Sequence, residues 1–236
     1  YLAYSARGIA YLRQGEYDQA IEDCSEAIRL CSDEPMLYYR RARAYFLAEK
    51  YDQAVADFDQ ALQLDDSQKT YFLERGITHF MRYEYELALE DFANTLNLDV
   101  GLWRAYYYSG LIRSDRGEFE RAVLDFNHAL MWGGRENADV LLFRGYVLSK
   151  LGEYRSALYD LNKAAENGNK TVDLYLVRAG VCEQLKEYDL ALSDLDEAMR
   201  LDADELFTLS VRGRVYLKMG DYEHALEELN AAAQAL

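Results

Sequence analysis

Six arginines and seven acids stand at fixed intervals along this 236-residue chain, and they are its most regular chemistry-bearing side chains. The arginines are Arg7, Arg41, Arg75, Arg144, Arg178 and Arg212, with Ser109 at the position where one more is due. The acids are Asp23, Asp57, Asp91, Asp125, Asp160, Asp194 and Glu228. Such a series could serve as a track for a polyanion or as a charge relay. It could instead be a set of bidentate guanidinium–carboxylate pairs that fix how helices stack. The structural reading is preferred, because every member occupies a fixed place beside a helix interface. Desolvation offsets much of the attraction in such pairs, so they set register more than stability. Each arginine is expected to meet the acid of the preceding repeat (Arg41 with Asp23, Arg75 with Asp57), with pairing inside one repeat as the alternative. Arg113, one turn after Ser109, is placed to take over the missing role.

No other constellation suggests catalysis. His79, His128 and His224 are far apart in sequence and each falls in a helical segment. His79 occupies a core position filled elsewhere by tyrosine, which reads as a buried structural histidine. Neither a glycine-rich phosphate loop nor a metal-ligand cluster nor a nucleophile–base spacing is present. The chain therefore reads as non-enzymatic, with no cofactor and no metal. Cys24, Cys31 and Cys182 form no disulfide framework. Cys24 and Cys31 lie seven residues apart, about 10 Å along a helix, too far for a disulfide. Three small hydrophobic thiols fit a reducing compartment, the cytoplasm in preference. Asn169-Lys170-Thr171 matches the glycosylation pattern, as one triplet in a chain of this length does by chance.

The elements that position these residues follow from a repeat. Ala20, Ala54, Ala88, Ala122, Ala157, Ala191 and Ala225 are spaced by 34 residues, except for one step of 35. A fixed period of this size marks a stack of copied supersecondary units. In the unit from Pro35 to Gln68, Tyr38, Ala42 and Tyr45 share one face of a first helix. After a turn near Glu49-Lys50, Ala54, Phe58 and Ala61 share one face of a second. Ser67 is placed to cap the helix that follows. The small first-helix residue recurs as Gly8, Ala42, Gly76, Gly110, Gly145, Ala179 and Gly213. Glycine within a helix costs about 1 kcal/mol relative to alanine, so five at one position imply close helix approach. Turns carry Gly15-Glu16-Tyr17, Gly117-Glu118-Phe119, Gly152-Glu153-Tyr154 and Gly220-Asp221-Tyr222.

These residues resemble the tetratricopeptide repeat, whose pattern is an aromatic, then Leu-Gly, a tyrosine, an Ala-x3-Phe pair, and a later alanine and proline. The resemblance spans the chain and departs at the terminal proline and at the leucine before the glycine, which is usually arginine here. It implies an all-α, right-handed α-solenoid of seven helix–turn–helix repeats, at about 1–34, 35–68, 69–102, 103–137, 138–171, 172–205 and 206–236. These form one array over 1–236. Helix breaks are expected near residues 34, 68, 102, 136, 170 and 204. At Trp132-Gly133-Gly134, beside the 35-residue step, a longer loop and an altered superhelical step are expected.

The resemblance further implies that first helices line a concave groove. On that face stand the residues three before, one after and four after each small position, and they are most apolar in the second to fifth repeats. The candidate peptide-binding residues are Tyr39, Arg40, Arg43, Phe46, Leu73, Ile77, Phe80, Tyr107, Tyr108, Leu111 and Tyr146. They are expected to form one continuous surface open to solvent, as an exposed apolar patch does at a partner site. Arg13, Arg40, Arg43 and Arg104 could receive an acidic group. The lysine–asparagine clamp with which related co-chaperones hold a chaperone's terminal carboxylate is missing. The positions two before the small residue read Ala6, Arg40, Glu74, Tyr108, Phe143, Val177 and Val211, so no asparagine ladder is present either.

Net charge is −16, with 42 acidic against 26 basic residues, the reverse of what phosphate contacts require, so nucleic acid is not the expected partner. No apolar run is long enough to span a membrane. A start at Tyr1 and an end at Ala231-Ala232-Ala233-Gln234-Ala235-Leu236 suggest a piece of a longer protein. The leading expectation is a protein-interaction module that holds a peptide or partner helix in its groove. The alternative is an assembly scaffold that stacks or self-associates through uncapped ends.

Overall fold

A computed structural model describes residues 1–134, 136–201 and 203–234. Among the described residues there are fourteen α-helices and no strand. In chain order they are α1 (Leu2–Gln14), α2 (Tyr17–Leu30), α3 (Pro35–Leu47), α4 (Tyr51–Leu64), α5 (Lys69–Met81), α6 (Tyr85–Leu98), α7 (Trp103–Asp115), α8 (Phe119–Gly133), α9 (Ala138–Lys150), α10 (Tyr154–Glu166), α11 (Val172–Leu185), α12 (Tyr188–Arg200), α13 (Glu205–Met219) and α14 (Tyr222–Gln234), and α1 packs on α2, α3 on α4, α5 on α6, α9 on α10, α11 on α12 and α13 on α14. The helix breaks fall where the period places them. No helix among the described residues is long and apolar enough to cross a membrane.

Helix pairs close over small residues. Ala42 on α3 and Ala54, Phe58 and Ala61 on α4 are wholly buried, and Tyr39, Tyr45 and Phe46 pack around them. At Gly76 the approach leaves no room for a side chain, since a Cβ there would sit 2.8 Å from Phe92 Cε1. Dense packing of this kind makes glycine at that position a packing requirement that outweighs its low helix propensity.

Inter-pair turns end on a side-chain cap from Glu34, Asn137, Thr171 and Asp204. Ser67 is not the cap of α5 that its position predicts: the cap position is Gln68, and Ser67 is instead held by Asp65, which accepts from its amide and hydroxyl. The longer loop expected after Leu130 is also corrected. α8 runs to Gly133, 15 residues against 14 in α2, α4 and α6, and α9 begins at Ala138. The extra residue is carried as helix. The expected insertion also touches Arg135, which lies outside the described residues.

The helices group into two compact units, one from Tyr1 to Ile112 and one from Arg113 onward, with the division inside α7. In the first, the first helices of successive pairs touch, α1 against α3 and α3 against α5; in the second, α9 touches α11. Among the described residues the second helices of successive pairs within a unit show no comparable contact, so within each unit the first-helix side is the inner side of the stack.

Candidate functional site

The recurring arginines and acids do meet, but within one repeat. Arg41 Nε and Nη2 donate to the two carboxylate oxygens of Asp57 at 2.6 and 2.7 Å. The same fork joins Arg7 to Asp23, Arg75 to Asp91, Arg144 to Asp160 and Arg178 to Asp194. Arg212 reaches Glu228 at 2.7 Å. The favoured pairing of Arg41 with Asp23 and Arg75 with Asp57 is therefore wrong. The reason is reach: the acid of the same repeat faces the arginine across the closest helix interface, and it takes two of the guanidinium's donors.

The remaining donor goes to the preceding repeat, at a position the sequence reading missed. Arg41 Nη1 donates to Ser25 Oγ at 3.0 Å, Arg75 to Asp59 at 2.6 Å, Arg144 to Asn127 at 2.7 Å and Arg178 to Asn162 at 3.0 Å, while Arg212 lies 3.1 Å from Asp196. All five acceptors stand five residues after the repeat alanine. The column was visible as Ser25, Asp59, Asn127, Asn162 and Asp196. Its one gap, Ala93, precedes the repeat in which Ser109 replaces arginine, so donor and acceptor are lost together. Arg113 does pair with Asp125, as expected from the missing arginine.

These pairs hold the helices whose inner faces carry the candidate binding residues. In the first unit, Tyr39 and Phe46 on α3, Phe80 on α5 and Tyr107, Tyr108 and Leu111 on α7 are half-buried, and Arg43 is exposed. Their rings pack on one another: Phe80 lies 5.3 Å from Tyr108 and 6.0 Å from Tyr85, Tyr39 lies 5.0 Å from Tyr71, and Tyr107 lies 5.3 Å from Tyr108. Two of the expected residues leave the surface. Leu73 and Ile77 are only 3% and 2% exposed and belong to the core beside Phe92 and Ile112. They lie between the inner face and the helix interface, and neighbouring aromatics close over them. Tyr146 falls in the second unit, half-buried, with Lys150 Nζ 5.0 Å from its ring centre.

The arginines divide by partner. Arg104 donates to Glu74 at 3.0 Å and is thereby neutralised. Arg40 donates to the hydroxyl of buried Ser5, and the Arg43 guanidinium stands 6.0 Å from the Tyr39 ring centre. Arg13, Arg40 and Arg43 line one cavity of about 260 Å³ together with Ile9, Leu12 and Met36.

The inner face of the second unit is different in kind. Glu183 on α11 is buried, with its carboxylate held by Arg214 at 2.8 and 2.9 Å and by Lys218 at 2.9 Å, both on α13. Burial pushes this carboxyl up, but the two cations outweigh burial and hold it below the ordinary glutamate range.

His79 is buried with Nδ1 2.6 Å from Glu84, where it locks the end of α5. Exposed His224 sits 2.7 Å from Asp221 and stacks on Tyr216. Cys24, Cys31 and Cys182 are free thiols, and burial pushes Cys24 up to about 11 and Cys182 up to about 12. Among the described residues no cluster of three or more His, Cys, Asp or Glu could hold a metal ion. Asn169 is buried and donates to Asp139.

Comparison with known proteins agrees with this geometry. Tetratricopeptide-repeat family models match residues 1–34, 35–68, 142–205 and 209–235. Among solved structures, a tetratricopeptide-repeat protein from Parabacteroides merdae is similar with a TM-score of 0.72 at 18% identity, over 98% of this chain and 91% of that one. The Pseudomonas aeruginosa protein pilF is similar with a TM-score of 0.77 at 20% identity, over 85% of this chain and 90% of that one. YrrB, described as a tetratricopeptide-repeat protein with an unusual peptide-binding site, is similar with a TM-score of 0.65 at 19% identity, over 79% of this chain and 95% of that one. At these identities the likeness speaks for the fold. No curated protein matches the sequence.

Proposed function

We propose that this chain, which belongs to the tetratricopeptide-repeat family, holds a peptide or a partner helix on the inner face of its first unit, through residues other than a chaperone-tail clamp. Repeats of this family are generally protein–protein interaction modules, and the family is typically non-enzymatic. One observation carries the finer reading. Phe46, Phe80, Tyr107 and Tyr108 keep a solvent-facing side although the helix interfaces are already filled by Phe58, Phe92, Ala42 and Ala88. Aromatic side chains that keep an exposed edge after packing are the groups that anchor partners, each worth about 2 kcal/mol or more on truncation. A linear partner suits an inner face built from successive helices, since each helix adds one set of side chains along its path.

The test is to select peptides from a displayed random library on the intact chain and measure their affinity for variants. Phe80→Ala is expected to weaken binding about tenfold or more with helical content unchanged. The reading fails if Phe80→Ala binds like the parent while Tyr159→Ala, on the exposed side of α10, releases the peptide.

A further inference from the structure

In a chain of net charge −16, most cations are neutralised by a carboxylate close by. Lys50 has Asp18, Lys69 has Asp99, Arg104 has Glu74, and the ladder arginines have their acids. The cavity between α1 and α3 breaks that habit. Arg13, Arg40 and Arg43 line it, no carboxylate does, and none of the three belongs to an ion pair of the described residues. Arg40 is half-buried, with a hydrogen bond to Ser5 orienting its guanidinium, and Arg43 is steadied over the Tyr39 ring. Cations fixed in this way lose less side-chain entropy on binding an anion. The rest of the lining is the Tyr39 ring with its hydroxyl and the apolar side chains of Ile9, Leu12, Met36 and Leu47, with Leu47 40% exposed.

We infer that this cavity receives an acidic segment of the bound peptide, with a carboxylate side chain among Arg13, Arg40 and Arg43 and a neighbouring apolar side chain on Leu12, Met36 and Leu47. The inference rests on the groove reading above and adds the chemistry of the partner. Guanidinium forks match carboxylates in two-point hydrogen bonds, and their attraction is strongest beside low-dielectric walls. The acidic remainder of the surface repels an acidic partner at a distance. Binding therefore depends on these three groups, and a partner carrying lysine in place of the acid gains nothing in this cavity. An apolar floor beside the cations selects against simple inorganic anions, which cannot use it.

The probe is a short fluorescein-labelled peptide with a leucine–aspartate–aspartate–leucine core in a glycine–serine background, measured by anisotropy against the whole chain. Its asparagine and lysine counterparts are measured alongside. The aspartate peptide is expected to bind about tenfold or more tightly than either counterpart, and to weaken as salt is raised. Arg13→Gln/Arg43→Gln should remove that preference while Arg13→Lys/Arg43→Lys keeps part of it, and both sites are exposed enough to leave the fold intact. Equal binding of the three peptides, or an aspartate preference that survives the glutamine variant, overturns the inference. So does failure of the aspartate peptide to bind. Library-selected peptides that bind through Phe80 but lack acids would overturn the acidic segment and leave the groove standing. Loss of both kinds of binding would remove the groove as well.

Discussion

Four residues beyond the small helix-packing position, the first unit carries Leu12, Phe46 and Phe80, whereas the second carries Ser114, Ser149, Glu183 and Leu217. The first set lies beside Tyr39, Tyr107, Tyr108 and the cavity of Arg13, Arg40 and Arg43; the second closes on itself where Glu183 is saturated by Arg214 and Lys218. Behind both faces the framework is the same. Arginine forks to the acid of its own repeat in either unit, and small residues let the paired helices close. The repeat therefore fixes where a side chain stands and leaves open what it does there. An inner face can be left available to a partner or sealed by an internal ion pair without a change in fold.

The framework half of this comparison would break most visibly at the ladder. Asp57→Ala in the first unit and Asp160→Ala in the second should each cost about 3–5 kcal/mol, because each strands a largely buried guanidinium. Arg178→Met with Asp194→Leu should cost far less than either single change, since the replacement pair needs no desolvation. Urea unfolding can follow each unit in the single-tryptophan backgrounds Trp132→Phe and Trp103→Phe, because Trp103 lies in the first, Trp132 in the second, and the chain has no other tryptophan. Clearly unequal losses in the two units would contradict a shared framework.

Gly76→Ala should cost about 1–3 kcal/mol by overpacking, since its Cβ would meet Phe92 at 2.8 Å. Gly213→Ala is its counterpart in the second unit, against Leu229 Cγ at 2.6 Å, and should lose a similar amount. Gly180, with open space around it, should accept alanine without loss.

Glu183→Gln separates the two inner faces. At neutral pH it should cost about 2 kcal/mol through the loss of charge-assisted hydrogen bonds, with the Trp132 signal reporting the change. The pH dependence follows from the sign. The folded carboxyl ionises more readily than the unfolded one, so its stabilisation is complete above the ordinary glutamate value and disappears as pH falls through the folded value. The parent should lose stability over that acid window and the glutamine variant should lose less. Parallel pH profiles would show that the Glu183 cluster does not hold the second unit's face closed.

The smallest effect concerns the turns. Where other repeats place glycine, Glu49, Tyr83 and Lys186 adopt φ of 59°, 61° and 64°. The left-handed region costs non-glycine residues about 1–2 kcal/mol, partly offset by the freedom glycine restores to the unfolded chain. Tyr83→Gly and Lys186→Gly should each raise stability by about 0.5–1 kcal/mol, alike in the two units.

Much of the scaffold could be read from spacing alone, because a period and the placement of small residues are geometric statements about neighbours in the chain. The close approach at Gly76 and the substitution of Arg113 for the missing arginine are of this kind. The ladder's partners were harder. Arg41 lies within helical reach of several columns, and only the packing distance decides that Asp57 takes two donors and Ser25 the third. Leu73 and Ile77 were misplaced for a related reason. A residue one step round a helix from the groove is exposed or buried according to the rings beside it, and those rings come from other helices. The arginine cavity was visible as four candidate cations, but only packing separates Arg104, paired with Glu74, from the three that have no carboxylate partner among the described residues.

Hydrogen exchange of the intact chain, with and without a library-selected peptide at saturation, tests the central claim most directly. The account predicts protection along the inner helices of the first unit, in residues 2–14, 35–47, 69–81 and 103–112, with α9, α11 and α13 unchanged. Protection confined to residues 138–150, 172–185 and 205–219, with the first unit exchanging as in the free chain, would contradict it.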